Sequence, residues 1–241
     1  MSTASIIIIG DEILSGKFQD ENTPWLIARC KKLHISVQTV RVIQDDLQTI
    51  ATVVAEESKR SSYVFTTGGV GPTHDDLTFL GIARAFGMSL RRNARLQKMI
   101  HDWFGEEAST DTLRMADIPD GAILVETKPG YPPQVVVNNV YAFPGIPKLL
   151  QRKFMAVEHL LSGVQVINRE VGLMVREVNI ATQLREIQEA HNQVNIGSYP
   201  RFGEKVSVIV TVEGHDEGLV AAAHRQIQST FAQFVVGNSE S

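Results

Sequence analysis

Three glycines within four residues, between a predicted strand and a predicted helix, constrain this chain more than any other feature. The apolar run at residues 63–67 predicts a buried β-strand, and Gly68, Gly69 and Gly71 follow it directly. The apolar periodicity after Thr78 then predicts a helix. Such a loop lets the backbone approach a ligand, and amides at a helix start bind anions, above all phosphate. A simple glycine turn with an aspartate cap is the alternative interpretation.

Polar side chains in the same loop are consistent with an anion site that also takes a cation. The hydroxyl groups that could donate to a phosphate belong to Thr66, Thr67, Thr73 and Thr78. Asp75 and Asp76 offer carboxylate oxygens, which hard divalent cations such as Mg²⁺ prefer. His74 could contact a phosphate or a metal such as Co²⁺ or Mn²⁺, with a solvent-exposed loop histidine as the alternative.

Two other acidic loops follow predicted strands. Residues 10–16 (GDEILSG) come directly after the apolar run 5–9, and Asp45 comes after the alternating run 37–43. Ligands of open α/β sheets gather beyond the carboxyl ends of the strands, so these loops and the glycine loop would share one crevice if their strands were neighbours. Capped turns at helix starts are the alternative for both loops, with the Asp45-Asp46 pair supplying the cap of the second.

Composition excludes several classes of function. A net charge of -4 with interspersed signs argues against a nucleic-acid partner. No apolar stretch approaches the ~20 residues of a membrane span and no basic segment precedes residues 6–9, so we expect a soluble cytoplasmic protein without a membrane partner. The single cysteine, Cys30, allows no internal disulfide and is expected to be a buried thiol.

Three segments together resemble the molybdopterin-binding (MoaB/MogA-like) family, in the form carried by CinA-type proteins and by the amino-terminal domain of eukaryotic FAD synthases. Residues 68–78 (GGVGPTHDDLT) match the pattern GGxGPTxDDxT, and residues 10–23 resemble the element GxE(I/L)LxGxxxDxN. Residues 143–147 (FPGIP) resemble the PGxP turn that closes one side of the family's pocket. The Glu-Met pair common after this turn is here Leu149-Leu150, so the role of that glutamate cannot be transferred.

The resemblance and the loop chemistry together give a set of candidate site residues. The candidate substrate-binding residues are Gly10, Asp11, Glu12, Gly16, Asn22, Thr67, Gly68, Gly69, Gly71, Pro72, Thr73, Thr78, Pro144 and Gly145. Asp76 and Asp45, which occupy positions that the family places around phosphate and metal, are the candidate catalytic residues. Asp76, Asp45 and Asp75 are the candidate ligands of a divalent metal, which would be Mg, Mn or Co.

The resemblance implies metal-dependent hydrolysis of a nucleotide diphosphate linkage of the FAD or ADP-ribose type. The glycine loop is equally compatible with molybdopterin binding or adenylyl transfer in molybdenum cofactor biosynthesis, and with a non-catalytic nucleotide-binding regulator. The expected partner is therefore a small-molecule nucleotide or pterin phosphate. Because family members commonly form dimers or trimers, the resemblance also implies a homo-oligomer.

For the fold, the resemblance implies an α/β, MogA-like three-layer sandwich with a mostly parallel sheet over residues 1–163. Within it, residues 90–104 predict one helix, whose basic groups could reach a phosphate or form a solvated face; they are Arg91, Arg92, Arg95 and Lys98. Residues 135–137 and 140–143 predict a hairpin about Asn138-Asn139.

The polar Ser162-Gly163 pair predicts a domain boundary. Beyond it, residues 164–241 predict a small α/β module of the split βαβ type. Its predicted strands are 171–178, 194–198, 206–212 and 234–236, its predicted helices are 181–190 and 219–231, and a hairpin turn is predicted at 199–203. Residues 196–200 (IGSYP) also resemble the turn of FAD-synthase-like members.

Overall fold

The computed structural model describes residues 2–105, 108–201 and 207–236. The chain divides into two compact units, Met1–Gly163 and Val164–Ser241. Within those described ranges, no helix combines the length and the apolar character needed to cross a lipid bilayer.

The centre of the first unit is a six-stranded, mostly parallel sheet. The strands of this unit are β1 (Thr3–Ile9), β2 (Ser36–Ile43), β3 (Tyr63–Thr67), β4 (Leu90–Arg92), β5 (Asp117–Pro119), β6 (Ile123–Val125), β7 (Gln134–Val137) and β8 (Val140–Phe143). The sheet has the order β2-β1-β3-β8-β7-β6, and β4 and β5 form a separate antiparallel pair. The first four strands of the sheet run parallel, whereas β7 and β6 are antiparallel to their neighbours.

Helices cover both faces of this sheet. The helices of the first unit are α1 (Asp11–Leu14), α2 (Asn22–Lys32), α3 (Leu47–Arg60), α4 (Thr78–Ala85), α5 (Ala94–Phe104), α6 (Thr110–Leu113) and α7 (Pro147–Val157). Ile7 of β1 lies in one hydrophobic cluster with residues of α3, α4 and α5, and its neighbour Ile6 lies in a second cluster with residues of α2 and α7. Burial on both sides explains the unbroken isoleucine run of β1. The predicted three-layer α/β sandwich is confirmed.

The carboxyl ends of the four parallel strands lie side by side. Ile9 at the end of β1 is opposite Ile43 at the end of β2, and Thr67 at the end of β3 is opposite Phe143 at the end of β8. The loops that follow β1, β2, β3 and β8 therefore leave the sheet at the same edge, as the sequence predicted for the first three.

The second unit contains a small antiparallel sheet and two helices. Its elements are β9 (Ile167–Leu173), α8 (Ala181–Ala190), β10 (Asn195–Pro200), β11 (Val208–Gly214) and α9 (Glu217–Thr230). The sheet has the order β10-β11-β9, and both helices contribute to one hydrophobic cluster with it. A single bridge joins Val235 to Leu173 where the sequence predicted a last strand, so the module keeps the split βαβ order.

Four sequence predictions differ from the structure or lie partly outside the described residues. The single helix predicted over 90–104 is wrong, because Leu90–Arg92 pairs with β5 and Asn93 caps a helix that begins at Ala94. The strand predicted at 171–178 lies earlier, at Ile167–Leu173. The turn predicted at 199–203 does not begin at Tyr199, because Tyr199 and Pro200 belong to β10. Phe202 and Gly203 of that turn and Val206 of a predicted strand lie outside the described residues.

Candidate functional site

A cavity of about 910 Å³ lies at the carboxyl edge of the first unit's sheet, which is large enough for a dinucleotide-sized ligand. Residues of the glycine loop (residues 68–78) form part of its wall. Its wall contains both acidic and apolar side chains. The carboxylates belong to loop residues, and the apolar groups belong to α5 and to the segment that precedes β7.

The first two glycines of the loop occupy positions that no other residue fits. Gly68 has φ +102°, and a Cβ built on it would lie 2.0 Å from the carbonyl oxygen of Ile9. Gly69 has φ +60°, and its Cβ would lie 2.5 Å from the hydroxyl oxygen of Thr78. Thr78 holds this backbone in place, since its hydroxyl donates to the Gly68 carbonyl at 2.8 Å and its amide donates to the Gly69 carbonyl at 2.9 Å.

The amides that follow these glycines are available to a ligand. Within the described residues, the N–H groups of Gly69, Val70 and Gly71 donate to no protein acceptor, although all three residues line the cavity. The three residues are half-buried, so solvent or a ligand in the cavity can accept hydrogen bonds from these amides. Successive free amides form a concave site that favours an anion.

Asp76 shapes the second half of the loop. Its Oδ2 atom accepts hydrogen bonds from the amide of Thr73 at 2.7 Å and from the Thr73 hydroxyl at 2.5 Å. A Cβ on Gly71 would lie 2.8 Å from the same oxygen, so glycine is also needed for this close approach. The Oδ1 atom of Asp76 has no hydrogen bond within the described part of the chain, and this leaves one carboxylate oxygen free at the cavity wall.

The two acidic loops after β1 and β2 are joined through Asp45. Its Oδ2 atom accepts a hydrogen bond of 2.9 Å from the amide of Asp11. Burial raises the pKa of Asp45, the Asp11 amide opposes this, and the negative charges of Glu12, Asp11 and Asp75 raise it further. Its neighbour Asp46 is the N-cap of α3, where it accepts from the Thr49 amide at 2.8 Å. Only the second aspartate of the pair is therefore the helix cap.

Asn22 connects the start of α2 to two other loops. Its Nδ2 atom donates to the hydroxyl of Thr67 at 3.0 Å and to the carbonyl of Gly145 at 2.7 Å. A Cβ on Gly145 would lie 3.6 Å from the Cα atom of Gly68. The turn after β8 thus packs directly on the glycine loop, and Asn22 fixes the two together from the side of α2.

The structure brings most, but not all, of the predicted substrate-binding residues to the cavity wall. Those that line it are Glu12, Asn22, Thr67, Gly68, Gly69, Gly71, Pro72, Pro144 and Gly145, together with Asp75 and Asp76. Those that do not are Gly10, Asp11, Gly16, Thr73, Thr78 and Asp45. Thr73 and Thr78 turn their hydroxyls to the loop itself, and Gly16 lies in an exposed turn. For these three residues the structure supports a role in loop conformation rather than a ligand contact.

The described cavity wall includes neither His74 nor the basic groups of residues 91–98, so the structure favours the alternatives of a solvent-exposed histidine and a solvated basic face. Arg91, Arg92, Arg95 and Lys98 pair instead with the carboxylates of Asp120, Asp117, Glu126 and Asp102. The side chain of His74 is 96% exposed, which fits the solvent-exposed alternative.

Lys153 is one of the cavity residues that sequence reasoning missed. It lies on α7, lines the cavity, and donates to the carbonyl oxygens of Pro132 at 3.2 Å and Pro133 at 2.7 Å. Burial lowers its pKa to about 8. In the sequence it is one cation in an amphipathic helix, and nothing in that pattern shows which way its side chain lies.

The carboxylates fit a divalent cation only if the ligand supplies part of the coordination. The donors are oxygen atoms, and the pKa of Asp45 is raised first by burial and then by the nearby negative charges of Glu12, Asp11 and Asp75. Within the described residues, no three or more His, Cys, Asp or Glu side chains form a ready metal cage, so Asp45, Asp75 and Asp76 are not gathered into one. Mg²⁺ is commonly bound by one or two carboxylates, water and substrate phosphates, and these residues suit that arrangement.

Comparisons with known proteins agree with the fold. Residues 5–162 match the family described as a probable molybdopterin binding domain, and residues 165–240 match the middle domain of FAD synthase. A protein of Archaeoglobus fulgidus is 30% identical over 92% of this chain and 95% of its own length. A probable FAD synthase of Caenorhabditis elegans is 28% identical over 97% of this chain, which spans 51% of that relative.

One solved structure supports the first unit in particular. The crystal structure of the protein CinA, of unknown function, from Thermoplasma acidophilum has 30% sequence identity and a TM-score of 0.61. The match covers 66% of this chain and 96% of that one.

Proposed function

The chain belongs to the family of probable molybdopterin binding domains, and from that premise we propose that it hydrolyses the phosphoanhydride bond of a nucleotide such as FAD or ADP-ribose with a divalent metal. In this reaction a water oxygen bonds to one phosphorus, and the bond from that phosphorus to the bridging oxygen breaks. The products are AMP and a second monophosphate, and the water's protons pass to the products or to solvent.

The observation that carries the proposal is the row of free amides in the glycine loop. The N–H groups of Gly69, Val70 and Gly71 line a cavity of about 910 Å³ and have no acceptor within the described residues. A phosphate would satisfy them, and the charge that develops during its hydrolysis would be stabilised by donors already in position. The two hydrogen bonds from Thr78 to the Gly68 and Gly69 carbonyls hold the loop backbone in this conformation.

The acidic groups around the loop supply the second half of the proposal. Asp76 and Asp75 line the cavity, and Asp45 lies beside Asp11 and Glu12 at the same edge of the sheet. Asp76 and Asp45 would hold the metal with their free oxygens, with Asp75 nearby. A bound divalent cation would polarise the phosphoryl group and activate a water molecule. Repulsion among these carboxylates disfavours a phosphate without a counter-charge, so nucleotide and cation are expected to bind together.

A second candidate function is the binding or adenylylation of a pterin phosphate in molybdenum cofactor biosynthesis. The match of residues 5–162 to a probable molybdopterin binding domain favours it, whereas the match of residues 165–240 to an FAD synthase domain favours the hydrolase. Both functions would use the same phosphate loop, so they are distinguished by whether the protein hydrolyses the nucleotide.

Incubation with FAD, ADP-ribose, NAD and CoA in separate reactions, each with Mg²⁺, Mn²⁺ or Co²⁺, tests the proposal. We expect release of a nucleoside monophosphate from FAD or ADP-ribose that stops when EDTA removes the metal. Chromatography of the products gives the rate. No release above the protein-free control with any metal would contradict hydrolysis, and full turnover in EDTA would contradict the metal requirement.

A further inference from the structure

The cavity wall carries one basic side chain. Among the described residues that line it, the acidic ones are Glu12, Asp20, Glu21, Asp75 and Asp76, and the only basic one is Lys153. Lys153 lies on α7, and its ammonium group contacts the carbonyls of Pro132 and Pro133 rather than the glycine loop. It therefore offers a ligand a polar contact separate from the amides of the glycine loop.

The ammonium group of Lys153 has an unused hydrogen-bond donor. It carries three N–H bonds, and the structure gives it two acceptors, the carbonyls of Pro132 and Pro133. It forms no ion pair with any carboxylate in the part of the chain that the structure describes. A half-buried ammonium without a counter-charge is costly, and its depressed pKa of about 8 is consistent with that cost. An acceptor on the ligand would offset it.

Contacts that do not involve Lys153 also hold the proline turn (residues 131–133) in place. The guanidinium of Arg152 lies 4.0 Å from the centre of the Tyr131 ring on that turn. The Thr127 hydroxyl also donates to the carbonyls of Tyr131 at 3.3 Å and Pro132 at 3.1 Å. The turn is therefore fastened to α7 and to its own start by other contacts, and Arg152 does not line the cavity.

Much of the cavity wall is apolar, which suits a flat, apolar ring. We define the apolar lobe as the lining residues Met99, Trp103, Pro132, Pro133 and Leu149. Leu96, Met99, Ile100 and Trp103 recur at helical spacing, so one face of α5 lines the cavity. Trp103 is 46% exposed, which leaves its ring available for stacking. A charged sugar phosphate or a bare ribose would leave these groups without a matching partner.

We propose that Lys153 is a specificity-determining residue that donates a hydrogen bond to a ring carbonyl of a fused aromatic heterocycle held in the apolar lobe. The inference rests on the proposed function for the position of the phosphate. Flavins and pterins share this chemistry, because both carry conjugated ring carbonyls on a flat fused ring. ADP-ribose has the same adenylate and diphosphate as FAD but carries a ribose in place of the flavin, so it serves as the comparison ligand.

The test is the dissociation constant for FAD, neopterin monophosphate and ADP-ribose, measured calorimetrically with Ca²⁺ as the bound cation. Chromatography of each sample afterwards checks that no ligand was hydrolysed. We expect Lys153→Met to raise the dissociation constant for the tighter of the two ring ligands about tenfold or more, the effect of losing a hydrogen bond to a charged group. ADP-ribose should change less than about twofold. Lys148→Met, which removes an exposed cation of α7 that does not line the cavity, should change none of them. Should Lys153→Met fail to fold, Lys153→Gln is measured instead, with the same expectation.

Equal weakening of ADP-ribose and the ring ligands would mean that Lys153 only supports the cavity, and would overturn the proposal. So would wild-type protein that binds ADP-ribose as tightly as both ring ligands. Hydrolysis of ADP-ribose with no preference for a ring would leave the proposed function intact while this inference fails. Tight binding of a ring ligand that depends on Lys153 but leads to no hydrolysis would support this inference and contradict the proposed function.

Discussion

The carboxylate of Asp45 accepts a 2.9 Å hydrogen bond from the backbone amide of Asp11, which joins the loops after two neighbouring parallel strands. The hydrogen bond fixes one carboxylate oxygen and leaves the other without a partner among the described residues. Asp46, one position later, has the unrelated task of capping α3. Asp45 is therefore a candidate site residue, whereas Asp46 has a structural role. Substitution of Asp46 provides a matched control for substitution of Asp45.

We expect Gly68→Ala to abolish phosphate binding and to destabilise the protein more than Gly87→Ala. Both glycines have positive φ, at +102° and +65°, so alanine is strained at each by ~1–2 kcal/mol. Only at Gly68 would the new Cβ also lie 2.0 Å from a backbone oxygen, whereas Gly87 has nothing within 4 Å. Urea unfolding and AMP titration check this. Equal losses in the two variants would show that the loop has no special packing.

We expect Asp76→Asn to keep most nucleotide affinity and to lose turnover. Asparagine retains an oxygen that can accept from the Thr73 amide and hydroxyl, so the loop should keep its conformation. The lost charge weakens the cation, and removing a group that stabilises transition-state charge costs ~10² to 10³ in kcat. Steady-state kinetics at saturating metal and a binding titration measure the two effects. Loss of binding in step with loss of rate would make Asp76 a structural cap.

We expect residues 1–163 to fold alone and to bind nucleotide with nearly the affinity of the full chain. Every described residue that lines the cavity lies between Ile8 and Lys153, and both hydrophobic clusters of the sandwich are complete by Leu161. The full chain is the control. A fragment without a cooperative thermal transition would contradict this expectation, because it would mean that the second unit is needed to complete the core.

Lys153 predicts a pH dependence of stability. Its pKa falls from 10.5 to about 8 through burial, so between these values the unfolded chain binds a proton that the folded chain does not. The free energy of unfolding should therefore rise with pH across this window, and Lys153→Met should lack that contribution. The quantity to measure is the wild-type value minus the variant value, from urea unfolding at several pH values between 8 and 10. A difference that stays constant with pH would contradict the shifted pKa.

The sequence predicts the location of the site better than the direction of its side chains. Strand patterns and the rule for carboxyl ends bring the three loops to one edge, because that depends only on strand order and parallel pairing. Thr73 and Thr78 were predicted to contact ligand because they carry hydroxyls in the right loop. In the structure those hydroxyls satisfy Asp76 and the Gly68 carbonyl, a choice made by local backbone geometry that residue type does not reveal.

Lys153 and the arginines of residues 91–95 show the same limit of sequence-based prediction. Arg91, Arg92 and Arg95 looked able to reach a phosphate, but carboxylates distant in sequence pair with them. In the sequence Lys153 is one cation of an amphipathic helix. In the structure its ammonium group donates to two carbonyls of the proline turn, and the residue lines the cavity. Both outcomes depend on contacts between distant segments, which local periodicity does not contain.

The decisive measurement is the rate of AMP formation by Asp45→Asn and by Asp46→Asn, each relative to wild type at saturating metal and nucleotide. It tests whether Asp45 acts together with the glycine loop in hydrolysis. Both substitutions remove one negative charge, and asparagine can replace aspartate as an N-cap and as the acceptor for the Asp11 amide. We predict that Asp45→Asn lowers kcat by ~10² to 10³ while Asp46→Asn stays close to wild type. Wild-type turnover by Asp45→Asn, or equal losses in both variants, would contradict a site in which Asp45 and the glycine loop act together.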